Sequence, residues 1–313
     1  MTVQLGSKSV RVIDIHSHLG PPEWNVPSAP AAMFDIDAQL RRMDEDGMDI
    51  SCFGNNWIRV PEGMPPIEVV RRYNEFAAEV TAKYPGRLYG LASTVIYGGD
   101  PFLQEAEHAI RDLGLKGFQI GTSFAGEYFD SARAHPFFAL LSELDVPAFI
   151  HPPKFTVGND KMEIYRLPEM VGRPFDTTLT LARFILSGGF ERFPRLKLIA
   201  AHMGGAMMLL PGRLDMGYEM RHDPAFGPWE PDVLSEPPSA AIGKLYVDTM
   251  GFHAPGVLCC VGTVGAEHVL LGSDCPPIYF PLRRTIDIVR QLPIAEADRE
   301  AILGGNAARL FRI

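Results

Sequence analysis

Short apolar runs alternate with longer stretches of helical periodicity along most of the chain. The short runs are VRVIDIHSH, MDISCFGNN, GRLYGLAST, LKGFQIGTS, PAFIHPP, LKLIAAHMG, KLYVDTMGF and HVLLGSDCP. Their length and their content of branched and aromatic residues predict strands. The intervening segments predict helices. One covers 37–47, with Asp37 as N-cap and Gly47 as the stop. A second covers 67–83 and ends before Tyr84-Pro85-Gly86. A third is capped by Asp100 and carries Pro101 at its first position. Others are expected near 133–144, 176–191, 205–219, 255–265 and 281–291, with one or two closing helices near 295–311. Strands and helices alternating in this way predict an α/β chain folded as a (β/α)8 barrel. No Ser/Gly/Pro-rich linker divides the chain, so 1–313 reads as a single domain. The Pro-rich segments 21–30 and 223–238 read as long loops after strands one and six. In such a barrel the loops that follow the strands build the active site.

That register places the notable polar residues. In VIDIHSHLG, side-chain alternation along a strand puts Asp14, His16 and His18 on one face and Ile13, Ile15 and Ser17 on the other. Two imidazoles on one face at a strand end can close on one metal ion, or can simply be polar residues leading into a loop. His151 ends strand five, His202 strand six and Asp274 strand eight. Together these are five metal-compatible or proton-transferring residues at the carboxyl ends of strands, the catalytic rim of a barrel.

Composition narrows the setting. The chain is 46% hydrophobic and 21% charged, ordinary for a soluble globular protein. A net charge of −9 and the lack of a basic run argue against a nucleic-acid partner. The four cysteines (Cys52, Cys259, Cys260, Cys275) show no CxxC spacing and read as free thiols in a reducing compartment. MTVQLGSKSV lacks an apolar signal core, and no run approaches the roughly 20 apolar residues of a membrane span. The expectation is a cytoplasmic protein without a membrane partner.

HSH, the strand-five HPP, AHMGG, GSDCP and the closing GGNAARLF resemble the amidohydrolase superfamily, a metal-dependent hydrolase type of barrel. The nearest branch is that of aminocarboxymuconate semialdehyde decarboxylase and related metal-dependent decarboxylases and hydrolases. The resemblance spans nearly the whole chain and is densest over 167–215. It implies that His16, His18, His151 and Asp274 are metal ligands, with Zn2+ as the ion and Mn2+ as a second option. It implies that His202 transfers protons, with Asp274 able to share that role. Asp14 is expected beside the ligands as a supporting residue, or as an extra ligand. Binuclear members use a carboxylated lysine at the end of strand four. Lys116 stands at the start of that strand, so one metal ion is expected.

Arg213 matches an arginine that, in the decarboxylase, reaches the substrate carboxylate in a neighbouring subunit. It implies at least a dimer, unless it only caps or salt-bridges its helix. Two features depart from that enzyme. The loop GPPEWNVPSAPAAMFD has no Arg or Lys where a second carboxylate-binding arginine belongs, and the chain reads HPPK in place of HPWD. Trp24, Met33 and Phe34 in that loop suggest a more apolar or aromatic substrate. Arg166 or Lys154 is a candidate to restore the missing charge. His253 and the residues Phe53, Asn55, Asn56 and Trp57 are candidate pocket walls. His108, His135, His222 and His268 read as surface or structural, and RRMDED and Arg71-Arg72 as solvated helix faces. The expected activity is metal-dependent decarboxylation of a small unsaturated or aromatic acid, using metal-activated water and a histidine proton relay. The alternative is hydrolysis of a lactone, an amide or a carbon–carbon bond at the same site.

Overall fold

The first strands are a surface hairpin, β1 (Val3–Leu5) and β2 (Lys8–Val10), paired antiparallel ahead of the barrel. The computed structural model describes all residues except 1, 2, 26–29, 55–62, 155 and 279. Parallel strands then follow in chain order: β3 (Ile13–His18), β4 (Ile50–Gly54), β5 (Leu88–Gly90), β6 (Ala92–Ser93), β7 (Phe118–Gly121), β8 (Ala148–His151), β9 (Leu198–Ala200), β10 (Tyr246–Asp248) and β11 (Val269–Leu270). β5 and β6 form a single stave. Across it Leu91 N–H donates to the Phe53 carbonyl, and Ala92 N–H to that of Gly117. The barrel closes between its first and last staves. Ile15 N–H donates to the Leu271 carbonyl and Asp274 N–H to that of His16, with a parallel bridge between Ser17 and Cys275. The fold is the (β/α)8 barrel that the alternating pattern predicts.

Side chains sort into two layers. Ala148 and Ile150 pack outward against helices, while Phe149 points inward to Ile199, Leu270, Ile50 and Cys52. Leu310 and Phe311 of the last helix, Asn306–Phe311, join this inner cluster and close the amino-terminal end of the barrel. Each such burial contributes about 1.5–3 kcal/mol.

β3 departs from simple alternation. Its register on β4 slips between Asp14 and Ser17, where three steps along β3 match two along β4. This bulge turns two consecutive residues inward. Ile13 and Ile15 both join the inner cluster, and the His16 ring lies 4.8 Å from that of Phe149. Asp14 therefore does not share the face of His16 and His18, because the inserted residue changes phase between them.

Helix ends also move slightly. The first long helix is Ile36–Asp46, and its N-cap is Asp35, whose side chain accepts from Ala38 N–H; Asp37 lies inside it. Gly47 ends it in the left-handed conformation, as expected. Asp100 is the first residue of its helix and not the cap. The segment near 176–191 is two helices, Arg173–Leu186 and Gly189–Arg192. The RRMDED face is only partly solvated. Arg42 is half-buried and donates to Cys275 Sγ at 2.7 Å, and Asp46 accepts from Leu282 N–H. All four cysteines are free. Among the described residues no helix is long and apolar enough to cross a membrane.

Candidate metal centre and barrel mouth

His16, His18, His151 and Asp274 converge at the carboxyl ends of β3, β8 and the last stave. All four are buried, and one ligand atom from each lies within 4.8 Å of the others. Their other atoms are held from outside. His16 Nδ1 stands 2.5 Å from Asp248 Oδ2. His18 Nδ1 donates to the Gly54 carbonyl at 3.3 Å and His151 Nδ1 to the Pro152 carbonyl at 3.0 Å. With an acceptor at each Nδ1, the proton belongs there and Nε2 turns to the centre. His18 Nε2 is 3.0 Å from Asp274 Oδ1, and His16 Nε2 is 3.4 Å from the same oxygen. The His16 Nε2 is buried and makes no hydrogen bond among the described residues. Three imidazoles and one carboxylate with an orphaned inward nitrogen fit a divalent cation.

Electrostatics separate the three rings. Burial lowers His18, and it lowers His151 still further with help from the neighbouring imidazoles, so both rings are neutral donors. Burial also opposes charge on His16, but Asp274 and Asp248 outweigh it and raise that ring to about 10. Burial would lift Asp274. The imidazoles, His16 foremost, reverse this and hold the carboxyl well below its ordinary range.

His202 stands beside the ligands. Its Nε2 is 3.5 Å from Asp274 Oδ2, and its ring centre is 5.3 Å from those of His16 and His151. Its Nδ1 makes no hydrogen bond among the described residues. The backbone here is unusual. His202, Met203, Gly204 and Gly205 all have positive φ, and so does Asp274. Left-handed backbone at non-glycine residues is costly and persists only where surrounding contacts impose it.

Asp248, the last residue of β10, supplies such contacts. Besides His16, it accepts from Met203 N–H at 2.9 Å and Met250 N–H at 3.2 Å. One carboxylate thus ties a ligand ring to the loop that carries His202. Gly272 makes room for this. A side chain there would meet the Cβ atoms of Asp248 and His16, at 2.8 and 3.0 Å. Sequence reasoning passed over Asp248, although YVD places it at a strand's carboxyl end. Asp14 acts through backbone. It accepts from His16 N–H, Ser273 N–H and the Ser273 hydroxyl, and burial raises its carboxyl to about 7.

The expected substrate residues are dispersed. Trp24 is buried in the hydrophobic layer outside the barrel. Phe34 lines a shallow depression with Pro22, Lys83 and Tyr84. His253 is exposed at the start of the helix Ala254–Val264. Arg166 is exposed in a left-handed turn with Tyr165, and Lys154 is exposed as well. Arg213 is exposed on the helix Pro211–Glu219 and makes no ion pair among the described residues. Asn55, Asn56 and Trp57 lie outside the described residues. The structure offers a cation the sequence reading missed. Arg173, at the start of Arg173–Leu186, is only 9% exposed. Burial lowers its guanidinium, and the negative charge of Asp274 partly offsets this.

This barrel and its buried histidine–aspartate cluster define an enzyme of the amidohydrolase class. The chain belongs to the amidohydrolase family, whose profile it matches over residues 13–313. Within it, the chain falls in the decarboxylase branch. It is 30% identical to the 2-amino-3-carboxymuconate-6-semialdehyde decarboxylase of Dictyostelium discoideum over 88% of this chain and 76% of that one. Its fold matches the 5-carboxyvanillate decarboxylase of Sphingomonas paucimobilis with a TM-score of 0.87 at 24% identity, covering 97% of this chain and 100% of the other. It also matches a dihydroxybenzoic acid decarboxylase from Polaromonas sp. JS666, solved with manganese and 2-nitroresorcinol. There the TM-score is 0.79 at 24% identity, and 97% of each chain is covered.

Proposed function

We propose that the protein removes CO2 from an aromatic or unsaturated carboxylic acid at one divalent ion held by His16, His18, His151 and Asp274, zinc or manganese. The observation that carries this reading is His202, an imidazole set beside the ligand cluster with one nitrogen near Asp274 and the other without a hydrogen bond among the described residues. A divalent ion held by these residues would supply positive charge to orient and polarise the acid. A single ion is favoured because Lys116 precedes β7, while the inward-facing residue of that strand is Gln119.

The chain's own residues do the rest. Arg173 gives the substrate carboxylate a charge-assisted donor inside low-dielectric surroundings. His202 delivers a proton to the carbon that bears the carboxylate. The carbon–carbon bond then breaks, its electron pair returns to the ring or double bond, and CO2 leaves. Asp274 stabilises the imidazolium before transfer. Arg213 faces outward, which suits the part assigned by resemblance, a contact in a neighbouring subunit's site within a homodimer. The reading is of a cytoplasmic enzyme.

The test is CO2 release by metal-loaded protein from a panel of hydroxybenzoates, methoxybenzoates and muconate-like acids in D2O. The expected result is one deuterium at the carbon that lost CO2, and loss of the reaction in His202→Ala. Release of an acid from lactones or amides without CO2 would assign the hydrolase chemistry instead.

A further inference from the structure

We infer that a cavity beside the metal cluster, floored by Gln119, is a subsite for a neutral hydroxyl or carbonyl substituent on the substrate. The inference rests on the reading of the barrel mouth as the reaction site and extends it to the substrate's far side.

Gln119 lies in β7 between Phe118 and Ile120, both of which pack outward, so its side chain turns into the barrel. It is 1% exposed, and among the described residues neither its amide oxygen nor its amide nitrogen has a hydrogen-bond partner. A buried amide with both ends unmet is costly and rare in native proteins. The amide leans over Gly54, where any side chain would collide with it, and the Gly54 carbonyl holds His18. Gln119 is therefore one residue removed from a metal ligand. Gly121, two positions further on, pairs with His151 and lines the same cavity.

The cavity holds about 250 Å³. A dry cavity of ~150 Å³ already takes up benzene. Its walls include Val70, Val95, Ile96 and Phe124, with Tyr97 beside them. No charged residue lines it among the described residues. Apolar walls suit a ring or alkyl edge. The lack of a lining cation disfavours a carboxylate there. An amide that offers one acceptor and two donors suits a hydroxyl, which both gives and takes a hydrogen bond, or a carbonyl, which takes one. The cavity thus reads a neutral part of the substrate and not its leaving carboxylate.

The test is calorimetric binding of matched ligands to metal-loaded protein: 3- and 4-hydroxybenzoate against 3- and 4-methylbenzoate. Wild type is expected to favour the hydroxyl of at least one pair by about tenfold, the effect of a neutral hydrogen bond plus relief of an unmet group. Gln119→Leu should abolish that preference, leave the methylbenzoates bound as tightly or more so, and melt no lower than wild type. Gln119→Met is the second variant should Leu misfold. Equal affinity within both pairs in wild type, a preference that survives Gln119→Leu and Gln119→Met, or no binding of any of the four would overturn the inference. CO2 release on the same preparation is a separate readout. Its absence removes the decarboxylase reading and leaves a Gln119-dependent hydroxyl preference standing.

Discussion

Asp248 and His16 are joined by a 2.5 Å contact between Oδ2 and Nδ1 in a fully buried setting. The same carboxylate accepts from Met203 N–H, so the metal-ligand ring and the proton-transfer loop share one anchor. Asp248→Asn keeps the shape but loses the charge and puts a donor or a neutral oxygen against Nδ1. Outer partners of this kind are commonly worth about 10–100-fold in metal affinity. The variant is expected to bind zinc and manganese weaker by that factor in a chelator competition. Unchanged affinity would show that Asp248 does not orient His16.

His202 differs from its neighbours in having no place in the ligand set. His202→Ala should retain full metal content by elemental analysis. It should lose about 10²–10⁴-fold in kcat, the usual size of a general acid–base contribution. Loss of metal in this variant would place His202 among the ligands instead.

The metal-free protein should carry a charged His16. Its folded value, about 10, lies above the ordinary 6.5 because Asp274 and Asp248 outweigh burial. A raised value means stabilisation that is complete below about pH 6.5 and is lost as pH climbs toward 10. Asp274 has the opposite sign. Its lowered value gives stability that is present above about pH 4 and lost on acidification. Melting of EDTA-treated protein is therefore expected to fall steadily from neutral pH to about pH 10. Metal uptake at pH 7 should release a proton from His16, visible as a dependence of the calorimetric heat on buffer ionisation. A flat alkaline melting profile would contradict the His16 assignment.

The ligands were legible because each ends an apolar run, and a barrel collects strand ends on one rim. Asp14 was misplaced because alternation assumes an unbroken register, and nothing in VIDIHSH marks the bulge that turns Ile15 and His16 inward together. Asp248 carried a signal, a carboxylate closing a strand, but His253 a few residues on was the more conspicuous group. Gln119 was visible as a polar residue within LKGFQIGTS, yet its unmet amide depends on what β4 and the loops place around it. Trp24 shows the converse. A large aromatic in a long loop can fill the core as readily as a pocket. Arg173 had no local mark at all. It is the first residue of Arg173–Leu186, directly after the wide π-type turn Pro168–Gly172, and its burial depends on the tertiary packing around that junction.

Arg173 allows the carboxylate anchor to be assigned by comparing three arginines. It is nearly buried and feels Asp274, whereas Arg166 and Arg213 are exposed. A hydrogen bond to a charged group inside the protein contributes about 1.5–3 kcal/mol, or roughly tenfold to a hundredfold in affinity. Arg173→Met, which keeps the apolar stem, should raise KM for the acid by that factor with metal content intact and kcat changed far less. Arg173→Lys should recover part of the loss, because it restores charge without the planar fork. Arg166→Ala should change KM less than about twofold, since an exposed charge is screened by solvent. An Arg213→Ala effect as large as that of Arg173→Met, appearing only in a dimeric preparation, would move the anchor to the neighbouring subunit. A KM unaffected by Arg173→Met would remove Arg173 from the site.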